Sequence, residues 1–183
     1  EGNGVASRVA FYHFGETGAK KEDYQVAQKE YADTIIPTAA FLNKDTSLFI
    51  TDQSFIIYEG LEEPKEKLVM KIDKEIQSVA YDEKHIAFIL KNSGETGYEL
   101  RMYHVNGKQL MSVPVEEEYT NMKMSGGQVL LYDESKCAIY NDAGVCRYKG
   151  VLEMHVLHMF TTSGLNKYMV ISTNGFQEIQ LVK

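Results

Sequence analysis

Apolar residues occur along this chain in short runs separated by turn residues, a pattern that predicts β-strands from end to end. One phrase recurs, in which a strand carries an apolar residue followed by tyrosine and then enters a glycine-containing turn. The four copies are Phe11-Tyr12 to Gly15, Ile57-Tyr58 to Gly60, Met102-Tyr103 to Gly107 and Ile139-Tyr140 to Gly144. Their tyrosines are 46, 45 and 37 residues apart.

A second apolar segment repeats with a similar spacing. The copies are Ser47–Ile50, His85–Ile89, Gln128–Leu131 and Tyr168–Ile171. Marker residues in these segments lie 38, 43 and 40 residues apart: Leu48, Ile86, Val129 and Met169. A period near 40 residues with only strands between the turns is typical of propeller blades. The sequence therefore predicts an all-β fold, a β-propeller with four-stranded blades of the WD40 or quinoprotein type. A β-sandwich or an open stack of meanders is the competing prediction.

The predicted strands group into one propeller-like domain that covers residues 1–183. Residues 1–32 supply two strands of an incomplete blade, and residues 153–183 supply a last blade of three strands. The full blades are residues 33–75, 76–117 and 118–152. We therefore expect a partial propeller of about four blades, the C-terminal part of a larger one. The absent N-terminal half of that propeller, or a second copy of the chain, would then be a partner.

Three details follow from the blade pattern. His85–Leu90 is a continuous apolar run, as expected for a strand buried on both faces. Pro114 is tolerable only on an outer edge strand, because proline cannot donate to a ladder. Asn106-Gly107 is predicted to form a hairpin turn, since both residues tolerate positive φ.

Three segments carry a resemblance to a known family: Ser7–Gly15, Tyr98–Gly107 and Thr161–Tyr168. They resemble an uncharacterised propeller-like family of Gram-positive gut clostridia, known as domain of unknown function 5711, over nearly the whole chain. The resemblance implies a membrane protein with a short cytoplasmic start, one N-terminal transmembrane helix and an extracytoplasmic propeller. This chain would be the C-terminal half of such a protein. The family has no assigned activity, so the resemblance implies no site residues.

Composition and charge narrow the possible partners. Hydrophobic residues make up 44% of the chain and charged residues 25%, as in ordinary globular domains. The net charge of −7 argues against nucleic acid and against an anionic membrane surface. No run of about 18 apolar residues is present and the start has no signal-peptide pattern, so we expect no membrane contact by this segment itself.

The two cysteines flank the predicted turn at residues 141–144. If Tyr140 paired with Val145, Cys137 would face Tyr148, and the two cysteines would share a face about 7–8 Å apart at Cα. That separation is too large for an unstrained disulfide. Free cysteines are therefore predicted.

The histidines do not form a convincing site. His155 and His158 are three residues apart in a predicted strand, so they would point to opposite faces, and no metal is expected there. His13 and His104 both follow a repeated tyrosine, which favours a structural hydrogen bond at the turn over catalysis. His85 begins an inner strand and indicates nothing further.

Other candidate motifs also favour structural interpretations. Glu116–Glu118 and Glu62–Glu66 are charge runs that predict solvated loops between blades. Acidic residues in the turns do not match the spacing of a calcium loop. Gly126-Gly127 predicts a hairpin turn, because no helix follows to bind phosphate. No Gly-x-Ser-x-Gly elbow is present.

These observations predict no catalytic, cofactor-binding or metal residues and no cofactor. The first hypothesis is a non-enzymatic, extracytoplasmic binding or sensing module for a protein or cell-envelope ligand. It would bind through loops at one end of the propeller axis, where connections from several blades meet. The alternatives are a glycan-acting hydrolase or lyase on a propeller scaffold, and a purely structural scaffold.

Overall fold

The computed structural model describes residues 4–13, 24–93 and 97–181, in which every regular element is a β-strand. The first six strands are β1 (Ala6–His13), β2 (Tyr24–Ala32), β3 (Thr38–Phe41), β4 (Thr46–Ile50), β5 (Ser54–Glu59) and β6 (Lys65–Lys71). The next eight are β7 (Glu75–Tyr81), β8 (His85–Lys91), β9 (Tyr98–His104), β10 (Gln109–Val115), β11 (Asn121–Ser125), β12 (Gln128–Tyr132), β13 (Lys136–Asn141) and β14 (Cys146–Val151). The last three are β15 (Val156–Thr161), β16 (Lys167–Ser172) and β17 (Gly175–Gln180).

The strands form antiparallel meanders in which each strand pairs with its neighbours in sequence. Three sheets have four strands each: β3–β6, β7–β10 and β11–β14. The sheet at the start has two strands, β1 and β2, and the last sheet has three, β15 to β17. The predicted all-β fold with four-stranded propeller blades is confirmed. The chain divides into two compact units, residues 1–73 and residues 74–183.

In the first unit, aromatic side chains join the two-stranded sheet to the β3–β6 sheet. Phe11 of β1 packs with its ring centroid 5.0 Å from that of Tyr58 and 5.8 Å from that of Phe49. Val9 and Ile56 belong to the same buried cluster. These contacts remove apolar and aromatic surface from water, which is the main favourable contribution to folding.

A polar network accompanies this core. The Tyr31 hydroxyl donates to Glu66 Oε2 at 2.6 Å and lies 2.7 Å from the Tyr58 hydroxyl. Since Tyr31 has a single hydroxyl proton, Tyr58 is the donor to Tyr31. Lys29 Nζ donates to Glu66 Oε2 at 2.7 Å. Burial, followed by the hydrogen bonds to Glu66 and Tyr58, raises the pKa of Tyr31.

In the second unit, the β11–β14 sheet is covered on both faces. One face packs against the β7–β10 sheet, in a cluster of residues including Leu100, Met102, Val129, Leu131, Ala138 and Tyr140. The other face packs against the β15–β17 sheet, in a cluster including Leu130, Cys137, Ile139, Met159, Tyr168 and Val170. Successive residues of β12 and β13 therefore enter different cores, as the alternation of a strand requires. The predicted burial of His85–Leu90 is also confirmed, with Ile86, Ala87, Phe88 and Leu90 inaccessible to solvent.

The repeated tyrosine marks a β-bulge in all four copies of the phrase. In three copies the register of the ladder shifts at the tyrosine itself, at Phe11/Tyr12, Ile57/Tyr58 and Ile139/Tyr140. In the fourth copy the shift lies between Gln109 and Met111 of β10, next to the residue that pairs with Tyr103. Each lies between the third and fourth strands of a meander, so β1 and β2 occupy the third and fourth places of their sheet. A bulge bends and twists the strand that carries it. The phrase is therefore a structural device of the outer strand pair. Gly15, at the end of the first copy, lies outside the described residues.

One turn prediction is wrong in detail. Gly107 has a positive φ, as predicted, but Asn106 does not. Among the described non-glycine residues, only Asp33 and Asn166 have a positive φ. The Gly107 N–H donates to the His104 carbonyl at 2.8 Å, and the His104 N–H donates to the Lys108 carbonyl at 2.8 Å. This is a three-residue loop with a glycine bulge rather than a two-residue Asn-Gly turn. Pro114 lies on β10 at the edge of its sheet, as predicted.

The cysteines are free, as predicted, but their placement was predicted wrongly. The bulge at Ile139/Tyr140 pairs Tyr140 with Cys146 and Cys137 with Gly150. Cys137 consequently lies in the core shared with β15–β17, while Cys146 packs against the core on the other face. Burial, reinforced by the charge of Asp133, raises the pKa of the Cys137 thiol to about 12.

A buried carboxylate ties the β7–β10 sheet together. Glu99 accepts hydrogen bonds from Arg101 Nε at 2.5 Å, Lys74 Nζ at 2.7 Å and the Ser112 hydroxyl at 2.8 Å. Lys74 also donates to Asn92 Oδ1 at 2.6 Å. The Arg101 hydrogen bond, with those of Lys74 and Ser112, outweighs burial and lowers the pKa of Glu99 from 4.5 to about 2. The network connects the segment before β7 to the third and fourth strands of the sheet.

We expect Glu99→Gln to lower the free energy of unfolding by about 2 kcal/mol at pH 7, since the half-buried cations of Lys74 and Arg101 lose their carboxylate partner. Because the pKa of Glu99 is lower in the folded state, its stabilisation is present above about pH 4.5 and is lost as the pH falls towards 2. In urea denaturation, the difference in free energy of unfolding between wild type and Glu99→Gln should therefore be smaller at pH 3 than at pH 7. The exposed control Glu75→Gln should stay within about 0.5 kcal/mol of wild type. Equal stability of the Glu99 variant and wild type at pH 7 would contradict this role.

Replacing Gly144 by alanine tests the packing of the β13–β14 turn against the neighbouring sheet. Its φ is +77°, and an added Cβ would lie 3.1 Å from Val113 Cγ1 and 3.3 Å from Met111 Cβ. Gly127 has a similar φ of +72° but no heavy atom within 4 Å of the added Cβ. We expect Gly127→Ala to cost about 1 kcal/mol from backbone strain alone. Gly144→Ala should cost about 2 kcal/mol, because it also crowds β10. Equal costs in thermal denaturation would show that the turn does not pack on β10.

Candidate functional site

A cleft of about 270 Å³ lies in the second unit, between the β7–β10 and β11–β14 sheets. We call it the inter-sheet cleft. It opens where β8 leads into β9 and where β10 leads into β11. In an antiparallel meander, these connections lie at the same end of the strands. The cleft therefore occupies one end of the two blades, where connections from both meet.

The cleft has an apolar floor, formed by Ile89, Val115, Met122 and Leu131. Leu131 is fully buried and Val115 nearly so, while the other two are partly exposed. These side chains come from four different strands of the two sheets. The floor therefore exists only because the sheets pack face to face.

Polar side chains form the rim, and none of them is cationic. They are Gln77, Ser78, Tyr98, Glu117, Glu118, Tyr119 and Thr120. Tyr98 begins β9, and residues 117–120 belong to the connection that joins the two sheets. A pocket with an apolar floor and a few polar groups at its mouth is the usual form of a binding site.

The charge at the rim is partly compensated. Glu117 lies 3.0 Å from Lys149 Nζ and 3.7 Å from Lys136 Nζ. The hydrogen bond from Lys149 lowers the pKa of Glu117, so this carboxylate is ionised at neutral pH. Burial, with the nearby charge of Glu117, raises the pKa of Tyr119, which is therefore a neutral hydrogen-bonding group.

The structure disperses the predicted histidines. His155 precedes β15, and a register shift between Val156 and His158 interrupts the alternation on which the sequence argument relied. Both histidines are exposed. His104 Nδ1 accepts the Asn106 N–H at 3.2 Å, which is the predicted hydrogen bond at the turn. The side chain of His13 lies outside the described part of the chain.

His85 packs at the other end of its sheet from the inter-sheet cleft. Its Nδ1 lies 3.1 Å from Asp82 Oδ1, and its ring centroid is 6.0 Å from that of His104. Across residues 4–13, 24–93 and 97–181, no group of three or more histidine, cysteine or acidic residues could hold a metal ion.

The two glutamate runs have different environments. Glu116–Glu118 lies between two sheets as predicted, and two of its residues form part of the inter-sheet cleft. The Glu62–Glu66 run connects β5 and β6 within one sheet, so its placement between blades was wrong. Glu66 is also not a solvated loop residue, because it lies in β6 and binds Tyr31. Gly126 and Gly127 both have positive φ in the β11–β12 turn, as predicted for a hairpin.

Sequence reasoning missed the tyrosines of the rim, Tyr98 and Tyr119. Both follow turn-rich stretches, and the pattern favoured assigning the tyrosines to core packing. Nothing in one sequence shows that residues 21 positions apart on different sheets line the same cleft. The only feature of the sequence that pointed to a position near a cleft was that Tyr98 begins a third strand, directly after a connection.

Two of the clefts in the first unit differ from the inter-sheet cleft in their chemistry. One, of about 380 Å³, is lined mainly by apolar and aromatic side chains, including Phe11, Tyr12, Phe41 and Leu61. The other, of about 270 Å³, is lined mainly by hydroxyl and carboxylate groups, including Tyr31, Asp33, Thr51 and Asp52. The inter-sheet cleft differs from both in having no cationic residue in its lining, whereas Lys44 lines the first of these clefts and Lys71 the second.

Comparison with known proteins agrees with this architecture. Residues 1–181 match the model of a family described as a family of unknown function (DUF5711). Among solved structures, the chain is similar to BBS1N in complex with ARL6DN, with a TM-score of 0.57 and 13% identity over 88% of this chain and 56% of that one. It is also similar to BamB from Moraxella catarrhalis, with a TM-score of 0.51 and 12% identity over 86% and 52% of the two chains. No curated protein matches the chain.

The likeness to these structures concerns the fold, since the identities are low. The chain spans about half the length of the solved propeller structures it matches. In the part of the chain that the structure describes, no helix has the length and apolar character needed to cross a membrane.

Proposed function

We propose that this chain, which belongs to the family of unknown function DUF5711, is a non-enzymatic module that binds a protein or cell-envelope ligand. The observation that carries the proposal is the inter-sheet cleft, which combines an apolar floor, two tyrosines and an acidic rim at one end of two blades. Loops and connections at the ends of a rigid scaffold commonly carry binding sites.

The size and chemistry of the cleft suit one or two inserted side chains of a partner. Its volume of about 270 Å³ lies just below the usual range for drug-sized ligands. Tyrosine is enriched at protein interfaces, because it offers a large apolar face together with a hydroxyl group. Tyr98 and Tyr119 provide such faces at the rim.

The ion-paired carboxylate of Glu117 is not suited to the general-acid role that glycoside hydrolysis requires. A glycosidase needs one carboxyl group with a raised pKa as general acid. Glu117 has the opposite perturbation, because its hydrogen bond with Lys149 lowers its pKa. A glycan-acting hydrolase or lyase is therefore the weaker candidate, and a purely structural scaffold would not need the cleft.

A protein partner agrees with what the similar structures contain. BBS1N is described in complex with ARL6DN, so one propeller of similar fold is solved with a protein bound. We propose a protein partner for this chain as well. The further blades of a larger propeller would be an additional partner, consistent with the half-length match.

Thr120→Arg tests the cleft directly, because Thr120 is exposed at the rim and a longer charged side chain would obstruct the opening. Full-length protein is immobilised and incubated with solubilised cell-envelope material, and retained components are quantified by mass spectrometry. We expect wild type to retain a specific component, and we expect the amount retained by Thr120→Arg to be at least tenfold lower.

The matched control is Ser163→Arg, which places the same side chain at an exposed residue in the β15–β16 turn, at the opposite end of the strands. It should retain the component as wild type does. Equal loss in both variants, or no loss in either, would contradict binding through the cleft. Release of soluble sugars from the envelope material by wild type would instead favour the hydrolase or lyase.

We further propose that the module lies on the extracytoplasmic side of the membrane, anchored by a transmembrane helix upstream of these residues. The support is the resemblance of three sequence segments to membrane-anchored family members. In intact cells that express the full-length gene product with a C-terminal tag, added protease should remove the tag. Tag that is protected in intact cells and digested only after lysis would contradict this placement.

A further inference from the structure

The last sheet of the chain has an open edge. β17 pairs with β16 on one side, and its other side has no strand among the described residues. The three four-stranded sheets instead end on a fourth strand, namely β6, β10 or β14. β17 is thus the third strand of its meander. Within residues 4–13, 24–93 and 97–181, no strand occupies the fourth position of this sheet.

The pairing of β16 with β17 identifies the backbone groups at this edge. The Leu181 N–H donates to the Asn166 carbonyl at 3.0 Å. Since bonding alternates along an antiparallel pair, Gln177 and Ile179 also bond to β16. The N–H and C=O groups of Phe176, Glu178 and Gln180 therefore point away from the sheet.

The sequence of β17 lacks the features that protect the outer edges of the other sheets. Edge strands are commonly protected by lysine, proline or a bulge, which prevent pairing with another strand. β6 carries Lys65, Lys67 and Lys71, β10 carries Pro114, and β14 carries Arg147 and Lys149. β17, Gly175–Gln180, contains no lysine, arginine or proline, and its ladder with β16 has no register shift.

Side-chain exposure along β17 gives the same indication. Phe176 is 79% exposed, although aromatic residues at the other third strands, such as Tyr103 and Tyr140, are buried. A flat edge with an exposed aromatic residue is suited to accepting a strand.

We propose that the outer edge of β17 pairs with a fourth strand from the same polypeptide, outside residues 1–183. That strand would run antiparallel to β17 and would alternate apolar with charged or polar residues, as β6 and β14 do. The match to solved propellers supports a source in the same polypeptide, because this chain covers only 56% and 52% of the two solved chains, which contain further residues.

A second copy of residues 1–183 fits this edge less well. The fourth-place strands of a copy, β2, β6, β10 and β14, are already paired within their own sheets. Two copies of β17 could also pair with each other in an antiparallel arrangement. If the two-fold axis passed through the middle of the outward-facing residues, Glu178 of one copy would lie opposite Glu178 of the other. Like charges directly opposite each other destabilise a strand pair.

Hydrogen exchange of the full-length protein tests this pairing at single residues. We expect the amides of Phe176, Glu178 and Gln180 to exchange within about tenfold of the rates for Gln177 and Ile179, which bond to β16. At an open edge they would exchange at least about 100-fold faster than those neighbours, and that result would overturn the proposal. Protection that disappears on 100-fold dilution would assign the strand to a second copy and would also contradict it.

Gln180→Pro provides the matching variant. It removes an outward N–H at the last residue of β17 and leaves the Leu181 bond to β16 in place. Val151→Pro is the control, since Val151 ends β14 in the same way, next to Leu152, whose N–H donates to Ser135. We expect Gln180→Pro to speed exchange at Glu178 at least tenfold and Val151→Pro to leave it unchanged. Equal effects would count against the pairing. Because neither variant touches the inter-sheet cleft, failure here would be independent of failure to find a ligand.

Discussion

The structure depends on sheets that must bury both of their faces. Residues in β5, β8, β12 and β13 are apolar at successive positions, and successive side chains point to opposite faces. An isolated sheet of this kind would expose a large apolar surface on at least one side. The β11–β14 sheet meets this requirement by packing against a neighbouring sheet on each face. Repetition of similar sheets along the chain is therefore a consequence of the strand sequences.

The bulge at the repeated tyrosine is a second recurrent feature. In each copy the extra residue lies in the fourth strand, opposite the tyrosine: Val26, Lys67, Leu110 and Arg147. A bulge bends the strand that carries it and increases its twist. It also moves Cys146 to the opposite face from Cys137, so the two thiols lie in different cores. A single inserted residue thus decides which side chains can meet.

The functional proposals arise at places where the repeat is interrupted or incomplete. The inter-sheet cleft forms where the connection after β10 crosses to the next sheet and leaves room above an apolar floor. The open edge of β17 is a position where a strand found in the other blades is absent from the described residues. The buried network of Glu99 instead lies within one sheet, and the lowered pKa of Glu99 belongs to a structural ion pair.

The sequence alone determined the architecture, because it rests on local patterns. Alternation, glycine-containing turns and a period near 40 residues are sufficient to predict 17 strands and their grouping into meanders, and the described strands match them. Tertiary structure decided what local patterns do not contain. Registers shifted by bulges placed Cys137 and His158 differently from simple alternation, and the pairing of Glu66 with Tyr31 joins residues 35 positions apart. The cleft depends in the same way on two sheets packing together, since Tyr98 and Tyr119 become neighbours only when distant segments share one surface.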